Sequence, residues 1–188
     1  METTFRNWMQ RTVARDPAFD HQRRDERERL IDAIAATLSA PSPWQAVPRA
    51  IHQVLGDRGW EWNGIYVRHT ERQLVLAVAH GPPVCATLDL EGDVGTSGMC
   101  WDAVLMNQAL VTSDARQWPG YVSCDSESGL ETAASIVCPI RNGEGRPIAV
   151  WDLDATKPLD PGDGPFMDRV FATLSAICRP EVGDILST

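Results

Sequence analysis

A chain of 188 residues, 43% of them hydrophobic, is long enough to bury a real core and suits one compact domain. Its formal charge of -9 opposes nucleic acid and anionic membrane surfaces, which demand a basic footprint, and no apolar run reaches the roughly 18 residues needed to cross a bilayer. Small molecules and proteins remain as partners. With no basic-then-apolar leader in Met1 to Gln10, the chain reads as soluble and cytoplasmic. There the five cysteines are expected to be free, catalytic or metal-bound rather than structural staples.

Residues 1–24 mix charges with scattered Trp8, Val13 and Phe19 and hold no sustained period, so they read as a loosely docked tail. From Asp25 to Ala40, Leu30, Ile34 and Leu38 recur every four positions, and Trp44, Val47, Ile51, Val54 and Leu55 continue a helical stripe after Pro41 and Pro43. Two helices are predicted, the second ending near Gly56. Trp60 to Val67 alternates, with Trp60, Trp62 and Tyr66 on one face and Ile65 and Val67 on the other, while Leu74 to Ala79 is apolar on both faces. This predicts a hairpin turning near His69 to Arg72.

A long polar stretch follows His80-Gly81-Pro82-Pro83. Only Met99 to Met106 looks helical, and Ala109 to Thr112 suits a short strand. Loops this long in a compact domain usually bind or cover something, which makes this the candidate active region. Ser135 to Ile140 and Pro147 to Leu153 are two further strands across the turn Arg141-Asn142-Gly143-Glu144-Gly145. A last helix after Pro161 carries Phe166, Val170, Leu174 and Ile177 on one stripe. The order predicts an α+β domain over residues 25–180, a largely antiparallel sheet flanked by N- and C-terminal helices, with 181–188 as a C-terminal tail.

Cys85, Cys100 and Cys124 all lie in the polar middle stretch. Downstream, Ile148, Val150, Asp152 and Asp154 share one strand face because side chains alternate with period two. Two carboxylates about 7 Å apart on such a face can grip an ammonium group or hold one proton between them; the plainer reading is a strand end entering solvent. No Cys-x-x-Cys pair or zinc-like spacing occurs, so no metal or other cofactor is expected. Cys138 and Cys178 sit among apolar neighbours, where cysteine acts as a small hydrophobe. The scattered histidines form no hydrolase or metalloprotease arrangement, and Gly92, Gly95 and Gly98 lack the Lys-Ser or Lys-Thr of a phosphate loop.

Trp62-Asn63-Gly64-Ile65-Tyr66, Gly81-Pro82-Pro83-Val84-Cys85, Gly98-Met99-Cys100, Trp118-Pro119-Gly120-Tyr121-Val122-Ser123-Cys124-Asp125, Val137-Cys138-Pro139-Ile140 and Val150-Trp151-Asp152-Leu153-Asp154 together resemble the GAF-domain free methionine-(R)-sulfoxide reductases. The resemblance spans about residues 60–155. It implies a GAF fold and an enzyme in which Cys124 attacks the sulfoxide sulfur of free methionine sulfoxide and becomes a sulfenic acid. Cys85 and Cys100 inherit the recycling role, through a disulfide that thioredoxin reduces, with the choice between them open. Trp62 would pack on the methyl-sulfoxide end, and Asp152 and Asp154 would hold the ammonium group or share the proton. Ser135 stands where the family usually has a pocket glutamate, so either Glu131, the nearest carboxylate, swings in as a substitute or that acid is missing. Trp101 replaces a small glycine and would narrow the pocket or change the recycling route. GAF domains commonly pair through helices, which makes the helix Asp25 to Ala40 a candidate for a homodimer. The alternative function is a non-catalytic GAF sensor of a small ligand or of oxidation.

Overall fold

The computed structural model describes residues 1–14, 23–124 and 129–186. Six strands form one sheet in the order β3-β2-β1-β6-β5-β4, every neighbouring pair antiparallel. They are β1 (Trp62–Thr70), β2 (Gln73–His80), β3 (Thr87–Asp89), β4 (Leu110–Thr112), β5 (Ala134–Arg141) and β6 (Pro147–Ala155). The helices are α1 (Glu2–Ala14), α2 (Arg24–Thr37), α3 (Pro43–Leu55), α4 (Gly98–Met106), α5 (Asp163–Cys178) and α6 (Val182–Leu186). None is long and apolar enough to cross a membrane among the described residues.

Both faces of the sheet are covered, which is why its central strands look apolar almost throughout. Ile65 and Val67 of β1, Ile136 and Cys138 of β5 and Trp151 and Leu153 of β6 pack with the helices other than α4. Trp62, Tyr66, Leu74, Val137 and Val150 face α4 and the loops around it. Trp151 stacks on Phe171 of α5 at 4.7 Å between ring centroids. Its indole N–H donates to Asn63 Oδ1 (3.0 Å), and Asn63 Nδ2 donates to the Pro48 carbonyl (3.1 Å), so the buried amide is satisfied at both ends. At one edge Arg23 and Arg58 share Glu26, Asp160 and Asp163, tying the start of α2 to the start of α5.

Several expectations need correction. Residues 2–14 form a helix rather than a loose tail: Phe5 and Met9, one turn apart, are each 0% exposed in the helix-side core. Burying side chains of that size contributes about 1.5–3 kcal/mol each. Trp8 stays 44% exposed, so the buried period of this helix runs through Phe5 and Met9; Phe19 lies outside the described residues. At the other end α6 buries Ile185 completely, and Gln45 donates to the Ile185 carbonyl. Trp60 precedes β1 and joins the helix-side core, 6.5 Å from Trp151, because the alternation counted from it begins before the strand does. Ile148 packs on the same side rather than with Val150. Strand β3 lies in a stretch read as loop, paired to β2 by three residue pairs. The apolar stripe of α2, from Leu30 to Ile34, is consumed by the chain's own core, and the helix shows solvent a polar face.

Candidate active site

A cavity of about 60 Å³ lies between the sheet and its loop cover. Strand β1 supplies Trp62 and Tyr66, β5 Ser135 and β6 Asp152 and Asp154; α4 contributes Gly98, Met99 and Cys100 from its first turn, and the loop after β4 brings Tyr121, Val122 and Cys124. Register explains the grouping. Asp154 lies between Trp62 and Ser135 on the neighbouring strands, and Asp152 between Gly64 and Val137. Gly64 is needed beneath the indole, since a Cβ there would sit 2.8 Å from the Trp62 ring.

The cover is held by contacts that no sequence pattern announces. Asp102 is buried; its Oδ1 accepts from the Gly95 N–H (2.8 Å) and its Oδ2 from the Trp118 indole N–H (2.7 Å), clamping the segment before α4 to the segment leading to Cys124. The same two segments touch at Gly120, whose φ is +65° and whose added Cβ would lie 2.6 Å from Thr96 backbone. Glycine is required there twice over, by conformation and by space. The Ser97 hydroxyl accepts from the Glu91 N–H (2.8 Å) and makes no cap for α4. Ser97 and the first-turn residues Gly98, Met99 and Cys100 line the cavity.

Of the cysteines, Cys85 and Cys124 form a disulfide, and Cys100 is a buried free thiol. The Tyr66 hydroxyl donates to the Cys85 carbonyl at 2.8 Å and fixes that loop; burial raises the phenol's pKa, helped by the nearby Cys100, Asp152 and Asp154, so it remains a donor. Cys100 Sγ donates to Asp152 Oδ2 at 3.2 Å. Burial pushes the Cys100 thiol well up, and the Asp152 charge and hydrogen bond push it further. Asp152 itself is lifted by burial to about 6, against the pull of hydrogen bonds from Cys100, Ser135 and the Leu153 amide. The single Ser135 hydroxyl proton faces three acceptors, the Leu153 carbonyl at 2.8 Å, Asp154 at 3.1 Å and Asp152 at 3.4 Å. It can satisfy one well, and burial favours Asp152 carrying a proton itself.

Thus Trp62, Asp152, Asp154, Cys100 and Cys124 share one cavity, and Cys85 is bonded to Cys124 at its wall. Glu131 is not with them: it is exposed and faces a separate surface hollow beside Asp114 and Arg116. Strand β5 begins only at Ala134, and the cavity wall is taken by Thr132 and Ser135 instead. Trp101 does not narrow the cavity either; its indole is fully buried, packed beneath the cover, and donates to the Leu88 carbonyl on β3 at 3.0 Å. Tyr66 had a legible signal, since alternation places it with Trp62. Asp102 had none, because its partners are loop residues met only in the fold. Asp125 lies outside the described residues.

No protein-family model matches the chain. A free methionine-R-sulfoxide reductase of Saccharomyces cerevisiae is 26% identical over 121 residues, 62% of each chain, and the GAF domain-containing protein A of Dictyostelium discoideum is 34% identical over 96 residues, 51% of this chain and 54% of that one. The chain thus spans little more than half the length of these curated relatives. A solved GAF domain superposes with a TM-score of 0.66 at 21% identity, covering 85% of this chain and 96% of that structure. The fold is a GAF domain. Within that fold, the Neisseria meningitidis free methionine-R-sulfoxide reductase, solved in complex with its substrate, superposes with a TM-score of 0.68 at 23% identity over 82% of this chain and 89% of its own.

Proposed function

We propose that this GAF domain reduces free methionine-(R)-sulfoxide or a close small sulfoxide, with Cys124 as nucleophile and Cys85 as the thiol that resolves it. The observation that carries this reading is the Cys85–Cys124 disulfide at the wall of a cavity that also holds Trp62 and two carboxylates. A zwitterionic amino acid suits such a cavity: its ammonium group meets Asp154, while Asp152 holds the proton for the sulfoxide oxygen, its carboxylate meets the first turn of α4, and its apolar end meets Trp62, Tyr66 and Met99. None of the described residues lining the cavity is Lys, Arg or His. The positive end of α4 is therefore the favoured stabiliser of a Cys124 thiolate.

The chemistry balances in three steps. The Cys124 thiolate attacks the sulfoxide sulfur while a proton reaches the oxygen; the S–O bond breaks, the thioether leaves reduced by two electrons, and Cys124 becomes a sulfenic acid. The Cys85 thiol condenses with it, forming the disulfide and releasing water. A thioredoxin-type dithiol then takes up the disulfide by exchange and restores both thiols.

The test is consumption of free methionine-R-sulfoxide by the reduced protein with a thioredoxin system, in wild type and Cys124→Ser. Turnover that is lost in Cys124→Ser is expected. Binding without turnover in wild type would sink the reductase reading in favour of a GAF ligand or redox sensor, and turnover surviving in Cys124→Ser would move the nucleophile elsewhere.

A further inference from the structure

We propose that Cys100 is a positioning residue rather than a recycling thiol: its S–H donates to Asp152 and sets the protonation of the carboxyl that delivers the proton to the substrate's oxygen. The inference rests on the reductase reading for its chemistry. It explains why a chain that needs two thiols for disulfide recycling places a third inside the cavity. With Cys85 bonded to Cys124, Cys100 is a buried thiol whose sulfur is turned onto β6, 3.2 Å from Asp152 Oδ2.

A thiol enclosed in this way, with a carboxylate as its nearest polar neighbour, keeps its proton, and a protonated thiol is a poor nucleophile for a sulfenic acid or a disulfide. As a hydrogen-bond donor it is well placed. When Asp152 gives its proton to the oxygen leaving sulfur, the carboxylate that remains is met by the Cys100 S–H and, at the longer distance of 3.4 Å, by Ser135. Cys100 gains and loses no electrons in the cycle. Donation to the charged form holds the Asp152 pKa below what burial alone would impose, so removing the donor must raise it.

The experiment follows the Asp152 carboxyl by carbon-13 NMR titration in the oxidised protein, in wild type, Cys100→Ala and Cys100→Ser, alongside kcat/KM against pH for the reduced proteins. Cys100→Ala is expected to move the titration upward by roughly 0.5–1 unit and to carry the alkaline limb of the rate profile with it. Cys100→Ser, whose hydroxyl still donates, should return both to wild type or below, and the Cys85–Cys124 disulfide should form to the same extent in all three after one equivalent of sulfoxide. An unmoved titration in Cys100→Ala would overturn the proposal, as would a sulfenic acid or a mixed disulfide that persists in Cys100→Ser. Because the titration is read without turnover, a wild type that fails to consume sulfoxide would end the reductase reading and still leave the Cys100–Asp152 coupling decided.

Discussion

The two faces of this sheet differ in what they do with the same strands. On the helix side Trp151, Leu153, Ile65 and Val67 are closed off by five helices, and the buried amide of Asn63 has both ends paired. On the other side the same β6 turns Asp152 and Asp154 into a cavity roofed by loops and one short helix, with a free thiol, a disulfide and one hydroxyl shared among three acceptors. One face is a packed apolar core. The opposite face buries Asp152, whose pKa burial raises, which costs stability when it ionises and leaves a proton to use. Period-two alternation lets neighbouring residues serve both purposes without conflict.

The contrast breaks most severely at Trp151. Trp151→Ala removes the stack on Phe171 and orphans Asn63 Oδ1, and should cost about 3–5 kcal/mol, read as a lowered urea midpoint. Asp152→Asn should act in the opposite sense and only at higher pH. The Asp152 pKa is raised by folding to about 6, so the folded state binds its proton more tightly; that advantage is present below the unfolded carboxylate range and is lost as pH rises through 6. Replacing the group with a neutral amide is therefore expected to stabilise the protein at pH 8 by up to about 3 kcal/mol and to change little at pH 3, while turnover falls. Equal effects at both pH values would show that the carboxyl is not forced to ionise against burial.

Smaller changes sharpen the boundary between cavity and cover. Asp102→Asn puts an amide N–H₂ where one of two donors now points, at Gly95 or Trp118; a loss of about 1–3 kcal/mol is expected, together with slower disulfide formation between Cys85 and Cys124, measured by thiol trapping. Glu131→Gln, at an exposed position outside the cavity, should leave stability within about 0.5 kcal/mol and kcat/KM unchanged. A substantial fall in kcat/KM would bring Glu131 back to the substrate.

Whatever repeats with a short period is legible in the chain before it folds. The stripes of α2, α3 and α5, the β1–β2 and β5–β6 hairpins, and the common face of Asp152 and Asp154 all follow from spacings of 2 or 3.6 residues acting on neighbours in the chain. The motif resemblance added a pocket with Trp62 and three cysteines. Which cysteines pair is set by the fold, because Cys85 and Cys124 are 39 residues apart and meet through loops that hold no period. Loop-to-loop closeness likewise brought Asp102 to Trp118, sent Glu131 away from the cavity and turned Trp101 into the core beneath it. Phe5 and Met9 needed the fold as well, since a single buried turn in a charged helix gains its meaning from the surface waiting to receive it.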